Sequence, residues 1–228
     1  MQLCLVLFPL ATWNLEPGTW NCIFRPGVRR IYSTLMTPTF TLITSSASKE
    51  REIAAILGVR LSARSMDLPE IQSLDLREIL TQKARTAFAK TGLPVVVEDV
   101  SLELNSLNGF PGPLVKWLLK AAGCEGIIAL VRSSGDLRAR AVCGVLAWDG
   151  KREWWASGAV EGTIAPAARG ASGFGWDPVF IPAGHDKTFA EMTPEEKNAI
   201  SHRGAAWRKF KEWMESGFGR IESTYINV

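Results

Sequence analysis

The dipeptide Asp149-Gly150 stands between two apolar runs, ARAVCGVLAW (139–148) and EWWASGAV (153–160). A two-residue turn of this type accepts positive φ and matches the right-handed twist of paired strands, so it predicts an antiparallel hairpin. GIIALVR (126–132) precedes the hairpin and reads as a third strand, set off by Ser133-Ser134-Gly135-Asp136. Upstream, strand and helix patterns alternate. FTLIT (40–44) is a buried strand. A helix starts near Lys49, with Ile53, Ile56 and Leu57 on one face, and ends at Gly58. Asp75 to Lys90 is a second helix, and Pro94 to Glu98 a short β-branched central strand. Asn108 to Pro113 is a loop by composition and leads into a helix through Trp117 and Leu118. Alternation followed by clustered strands predicts an α/β fold with a mixed β-sheet and flanking helices.

With 228 residues, 46% of them hydrophobic, the chain can bury one ordinary core. Residues 36–228 read as a single domain, although a second fold within the middle strands is left open. Residues 1–35 read as a leader. Leu3 to Leu10 is apolar, but no basic residue precedes it and the run is too short to span a bilayer, so no membrane role is expected. Arg25, Arg29 and Arg30 leave a transit peptide open beside a non-native extension. A net charge of +3 from 26 basic and 23 acidic residues is too balanced for a chain devoted to a nucleic-acid polymer. A small anion needs only a few cations in one cleft. Cys4, Cys22, Cys124 and Cys143 show no CxxC or metal-ligand spacing, which predicts free thiols and a cytoplasmic location.

Four segments could carry chemistry. Thr44-Ser45-Ser46-Ala47-Ser48-Lys49 joins a strand to a helix, where backbone N–H groups face an anion and Lys49 adds charge. Glu98-Asp99 follows the VVV strand. Strand-end carboxylates suit a hard cation, and alternation predicts that only one of the two points at a site. Glu70, in Asp67-Leu68-Pro69-Glu70, is a second carboxylate candidate. Gly173-Phe174-Gly175-Trp176-Asp177 leaves the Phe174 ring accessible for stacking on a base. Lys197, His202 and Arg203 gather three possible cations. In one straight helix Lys197 and His202 would stand ~140° apart, so a break near Ser201 is expected, with Ser201 capping a new helix. Each segment also has a plain reading as a cap, a strand end, a turn or a surface helix.

Taken in order, DLPE (67–70), VEDVSLELNSLNGFPGPLVKW (97–117), GFGWDPVF (173–180) and KTFAEMTPEEKNAISHR (187–203) resemble the inosine triphosphate pyrophosphatase family. The resemblance spans roughly residues 38–215. It implies an elongated mixed sheet with two lobes around a nucleotide cleft, usually in a homodimer. It also implies Mg2+-dependent hydrolysis of inosine, deoxyinosine and xanthosine triphosphates to the monophosphate and pyrophosphate, with Mn2+ as a substitute ion. By resemblance, Glu70 and Asp99 form the metal site and Asp99 orients or deprotonates the attacking water. Thr44 to Lys49, Lys83 and Lys197 embrace the phosphates. Phe174 stacks on the base, Gly175, Trp176 and Asp177 close its pocket, and His202 and Arg203 read it. Two departures stand out. TSSASK replaces the family's TGNxxK, and Val100 replaces the serine or threonine that usually follows the aspartate. They keep open a weakened nucleotide binder or sensor. A Maf-like pyrophosphatase fits GFGWD and SHR less well.

Overall fold

A computed structural model describes residues 40–216. The leader, with Cys4 and Cys22, lies outside the described residues. Among these residues the architecture is α/β, a seven-stranded mixed sheet with five α-helices. In chain order the elements are β1 (Thr41–Ile43), α1 (Ala47–Leu57), β2 (Ala63–Arg64), α2 (Leu76–Thr91), β3 (Val95–Leu104) and β4 (Pro111–Gly112). They are followed by α3 (Val115–Ser134), β5 (Arg138–Trp148), β6 (Glu153–Ile164), β7 (Phe180–Pro182), α4 (Pro194–Ile200) and α5 (His202–Glu215). The sheet order is β2-β1-β3-β5-β6-β7, with β4 on β3. Strand β1 pairs in parallel with β2 and β3, and every other pairing is antiparallel. The predicted hairpin joins β5 to β6 in unbroken register from Trp148↔Glu153 to Arg138↔Thr163, but its turn is longer than two residues: Asp149 to Arg152 link the strands, with positive φ at Gly150 and not at Asp149.

Side-chain alternation along β3 sorts the core. Val96 joins Leu42, Ile53, Val145, Trp207 and Phe210 beneath α1 and α5. Val95 and Val97 point the other way, to Leu76, Leu80, Ala84 and Ala87 of α2. A third cluster places Ile127, Ile128 and Val131 of α3 against Leu102, Leu104, Phe180 and Phe189.

GIIALVR is therefore helical, not a strand. Ile127, Ile128 and Val131 recur at helical spacing and all three are buried. A short apolar run carries no period of its own, and length decides it. Here the run continues a helix that kinks at Gly123 (φ 62°) and ends on left-handed Gly135. Pro111-Gly112, read as loop, adds the short strand β4, and β3 continues to Leu104, beyond the predicted Glu98. Helices α1 and α2 match expectation, with Ser46 and Asp75 as N-caps and Gly58 and Gly92 in left-handed C-caps.

Candidate functional site

The register of β1 makes the cleft. Strand β1 pairs with β3 only at Val95–Val97, and β4 joins β3 only at Leu102–Glu103. Between them one edge of β3 is uncovered, just past the carboxyl end of a parallel strand, the usual place for a ligand in such sheets. A cavity of about 620 Å³ opens there. Thr44, Ser45, Ser46, Lys49, Glu70, Lys83, Glu98, Asp99, Val100, Phe174, Gly175, Trp176, Asp177 and Arg203 line it. Ala47, Ser48, Lys197 and His202 do not line it. Lys116 and Trp117, which the sequence reading passed over as part of an amphipathic helix, do.

At one end, two carboxylates converge on one ammonium. Lys83 Nζ lies 2.5 Å from Asp99 Oδ2 and 2.8 Å from Glu70 Oε1, and Lys116 Nζ lies 3.3 Å from Glu70 Oε2. Burial raises the Glu70 carboxyl most strongly, yet Lys83 outweighs it and the net direction is down. Lys83 is likewise held up by Asp99 and Glu70 against its own burial. Two carboxylates that converge on a cation are the hard-oxygen donor set that magnesium takes when phosphate and water complete its shell. These residues fit such an ion. Among the described residues no group of three or more His, Cys, Asp or Glu side chains forms a closed cage.

The expectation that only one of Glu98 and Asp99 reaches the site does not hold. Alternation sends Asp99 toward α2 and Glu98 toward α5, but the uncovered edge opens both to the cavity. Lys49 Nζ spans them, 3.3 Å from Glu98 Oε1 and 3.9 Å from Asp99 Oδ1. Glu98 is the residue whose role the sequence reading missed. It accepts from Arg203 Nε (2.9 Å), Arg203 Nη2 (3.0 Å) and Trp207 Nε1 (2.7 Å). Its position inside a VVV strand was the available signal, because a buried carboxylate needs a partner.

At the other end, Ser201 breaks the helix as predicted. Its hydroxyl caps α5 by accepting from Gly204 N, and it separates α4 from α5. The break turns Lys197 inward under the Phe174 loop. Lys197 Nζ lies 2.7 Å from Asp177 Oδ2 and 2.9 Å from Glu52 Oε1, with 4% of its side chain exposed. It is a buried brace rather than a wall of the cavity. Burial pushes the Asp177 carboxyl up despite Lys197. His202 is no cation here. Burial, then the charge of Arg203, holds its imidazole well below the ordinary histidine range, and its ring stacks on Trp176 at 5.2 Å. Arg203 also pairs with Glu52, so three of its five N–H groups are committed, and Phe174 covers its guanidinium at 5.1 Å. Glu98, Arg203, Glu52, Lys197 and Asp177 thus form one chain of ion pairs that ties helix α1 to the Phe174 loop.

The departures from the family pattern also have a geometry. Ser46 Oγ accepts from Lys49 N (3.3 Å), and Asp99 Oδ1 accepts from Val100 N (2.9 Å), an N–H that needs no hydroxyl.

A profile of the Ham1 family matches residues 40–213. An inosine triphosphate pyrophosphatase of Tuber melanosporum is 41% identical over 186 residues, which cover 79% of this chain and 99% of that protein. A dITP/XTP pyrophosphatase of Pyrococcus horikoshii is 41% identical over 178 residues, 76% of this chain and 95% of the relative. The solved structure of a HAM1 protein from Coxiella burnetii superposes with a TM-score of 0.67 at 28% identity, over 78% of this chain and 99% of that one. In fold and sequence, the chain belongs to the Ham1 family.

Proposed function

We propose that the protein hydrolyses non-canonical purine nucleoside triphosphates, namely inosine, deoxyinosine and xanthosine triphosphates, to the monophosphate and pyrophosphate. One observation carries the reading: a single cavity joins a cationic and carboxylate end to an aromatic end with a buried arginine. A triphosphate with its planar base needs both. Relatives named for this activity support it at 41% identity.

Glu70 and Asp99 would hold Mg2+, or Mn2+ in its place, which supplies charge neutralisation for the leaving pyrophosphate. Lys49, Lys83 and Lys116 point into the same end and stabilise the phosphate oxygens. Asp99 orients the attacking water and accepts its proton. Phe174 offers the stacking face, and Arg203 retains two N–H groups for a 6-oxo substituent. Adenine presents an amino group there and leaves those donors unpaired, which costs ~1–3 kcal/mol and gives roughly ten- to hundredfold discrimination.

A second reading has a specific motive. Ser46 is used as a helix cap and Val100 has no hydroxyl, so the chain could bind the nucleotide without turnover. A panel of nucleoside triphosphates scored for pyrophosphate, with Mg2+ and with chelator, separates the two. Release from inosine triphosphate far above adenosine triphosphate, abolished by chelator, supports hydrolysis. Binding without release supports the sensor, and equal rates on both bases or orthophosphate release defeats the assignment.

The homodimer and the cytoplasmic location belong to this proposal. Dimerisation rests on the family resemblance, and light scattering at micromolar concentration tests it. The free thiols of Cys124 and Cys143 support a reducing compartment. Among the described residues no helix is long and apolar enough to cross a membrane.

A further inference from the structure

We propose that the Lys83 ammonium and a divalent ion exclude one another from the Glu70–Asp99 pair, so that metal entry drives Lys83 off the carboxylates and toward the phosphates. The inference rests on the metal-dependent reading above and adds an exchange at its centre.

Every carboxylate oxygen of the pair already has a partner. Glu70 Oε1 and Asp99 Oδ2 share Lys83 at 2.8 and 2.5 Å. Glu70 Oε2 faces Lys116 at 3.3 Å. Asp99 Oδ1 accepts from Val100 N at 2.9 Å and lies 3.9 Å from Lys49. Magnesium needs oxygens at about 2.0–2.1 Å. An ion bound to Glu70 Oε1 and Asp99 Oδ2 at that distance would stand almost where Nζ stands. Two cations cannot occupy that space, so a bridging ion must displace the one group that already bridges. Lys116 touches only one carboxylate of the pair, and its side chain is largely exposed.

Lys83 can leave without disturbing the fold. Leu80, Ala84 and Ala87 anchor α2 to the sheet, while Lys83 reaches into the cavity on a flexible four-carbon stem. Its new partner would be the triphosphate, whose oxygens replace the lost carboxylates. Metal and nucleotide then help each other bind. Metal alone leaves a displaced ammonium without a counter-charge, and nucleotide alone finds Lys83 committed elsewhere. By linkage the two affinities rise by one common factor. The exchange makes the protein a poor metal binder until the substrate arrives.

The probe is Mn2+ alone, followed by the electron paramagnetic resonance of the free ion, with the full chain and no nucleotide. Lys83→Met should bind Mn2+ about tenfold or more tightly than the parent, because a competing charge is gone. Lys83→Arg keeps the charge and should stay within about threefold of the parent. A Lys83→Met chain that gains no affinity overturns the exchange. Should that variant fold poorly by circular dichroism, the unsubstituted chain decides. Acetylation of Lys83, read by mass spectrometry, should rise when saturating Mn2+ is added, and unchanged labelling overturns the proposal. Neither arm uses substrate. Loss of the pyrophosphatase reading with a positive Mn2+ result would strike the activity alone. The converse pair of results would strike the exchange alone.

Discussion

Glu98 and Arg203 meet in a two-point bond inside the protein, Nε to Oε2 at 2.9 Å and Nη2 to Oε1 at 3.0 Å, with 2% of each side chain exposed. The pair is 105 residues apart in the chain. It locks α5 to the central strand and sets the arginine beneath the Phe174 ring. The Lys49 end and the Phe174 end of the cavity therefore share one rigid floor.

Removing one partner of a buried pair costs more than the pair contributes, because the other charge is left in a poor solvent. Glu98→Gln should lower unfolding free energy by roughly 3–5 kcal/mol and loosen base preference. Urea denaturation reads the first effect and the inosine-to-adenosine rate ratio the second. A variant as stable as the parent would show that Arg203 is satisfied without Glu98.

Asp99→Asn keeps the shape of a partly buried side chain but loses the charge that Lys83 and Lys49 face and that, under the proposed function, would orient water and metal. Turnover should fall by roughly a thousandfold or more. Stability should shift by less than about 1 kcal/mol, because Lys83 keeps Glu70. Pyrophosphate release and a thermal melt measure the two, and undiminished turnover would take Asp99 out of the reaction.

Acid should weaken the fold in two stages. Burial, then Arg203, depresses His202 below its ordinary 6.5. Burial opposes ionisation of Glu98, but Arg203 and then Lys49 outweigh it and hold that carboxyl far below its ordinary 4.5. A depressed group contributes stability above its unfolded value and loses it as pH falls. His202 therefore acts from about 6.5 downward and Glu98 from about 4.5 downward. Asp177, raised by burial, runs the other way: its contribution is present below its ordinary 3.8 and is lost as pH rises through its folded value. His202→Gln should remove up to about 1.4 kcal/mol per pH unit of slope below 6.5. Urea midpoints at pH 7, 6 and 5 check it, and parallel slopes in both proteins would refute a neutral buried imidazole.

Gly173 has φ 76°, and a Cβ there would collide with Asp177 Oδ2. That oxygen already accepts from Phe174 N and Lys197 Nζ, each at 2.7 Å. Gly173→Ala should displace the stacking ring and raise KM for inosine triphosphate by about tenfold, equivalent to ~1.4 kcal/mol of lost binding. Steady-state kinetics read it, and an unchanged KM would place Phe174 outside base recognition.

Much of this was legible along the chain because it is local. Asp149-Gly150 specified the β5–β6 hairpin, and Gly58 ends α1 at the residue it occupies. Ser201 capped the helix that carries His202 and Arg203. GIIALVR reads as a strand because five apolar residues in a row fit a strand or a buried helix equally well; its continuation of the long helix α3 and its packing against Leu102 and Phe180 make it helical.

Most elements, the loop that carries Phe174 and the family can be read along the chain, since capping, turn chemistry and motif wording act over a few residues; the helical state of GIIALVR and the strand β4 cannot. Which charges are free to act is a property of the folded molecule alone. Lys197 and His202 read as possible cations in the linear text; in the folded chain Lys197 is braced between Asp177 and Glu52, and burial holds the His202 imidazole neutral. Glu98 read as a strand end, yet it anchors Arg203. The protonation and reach of an ionisable group depend on burial and on partners a hundred or more residues away, and no local spacing encodes either.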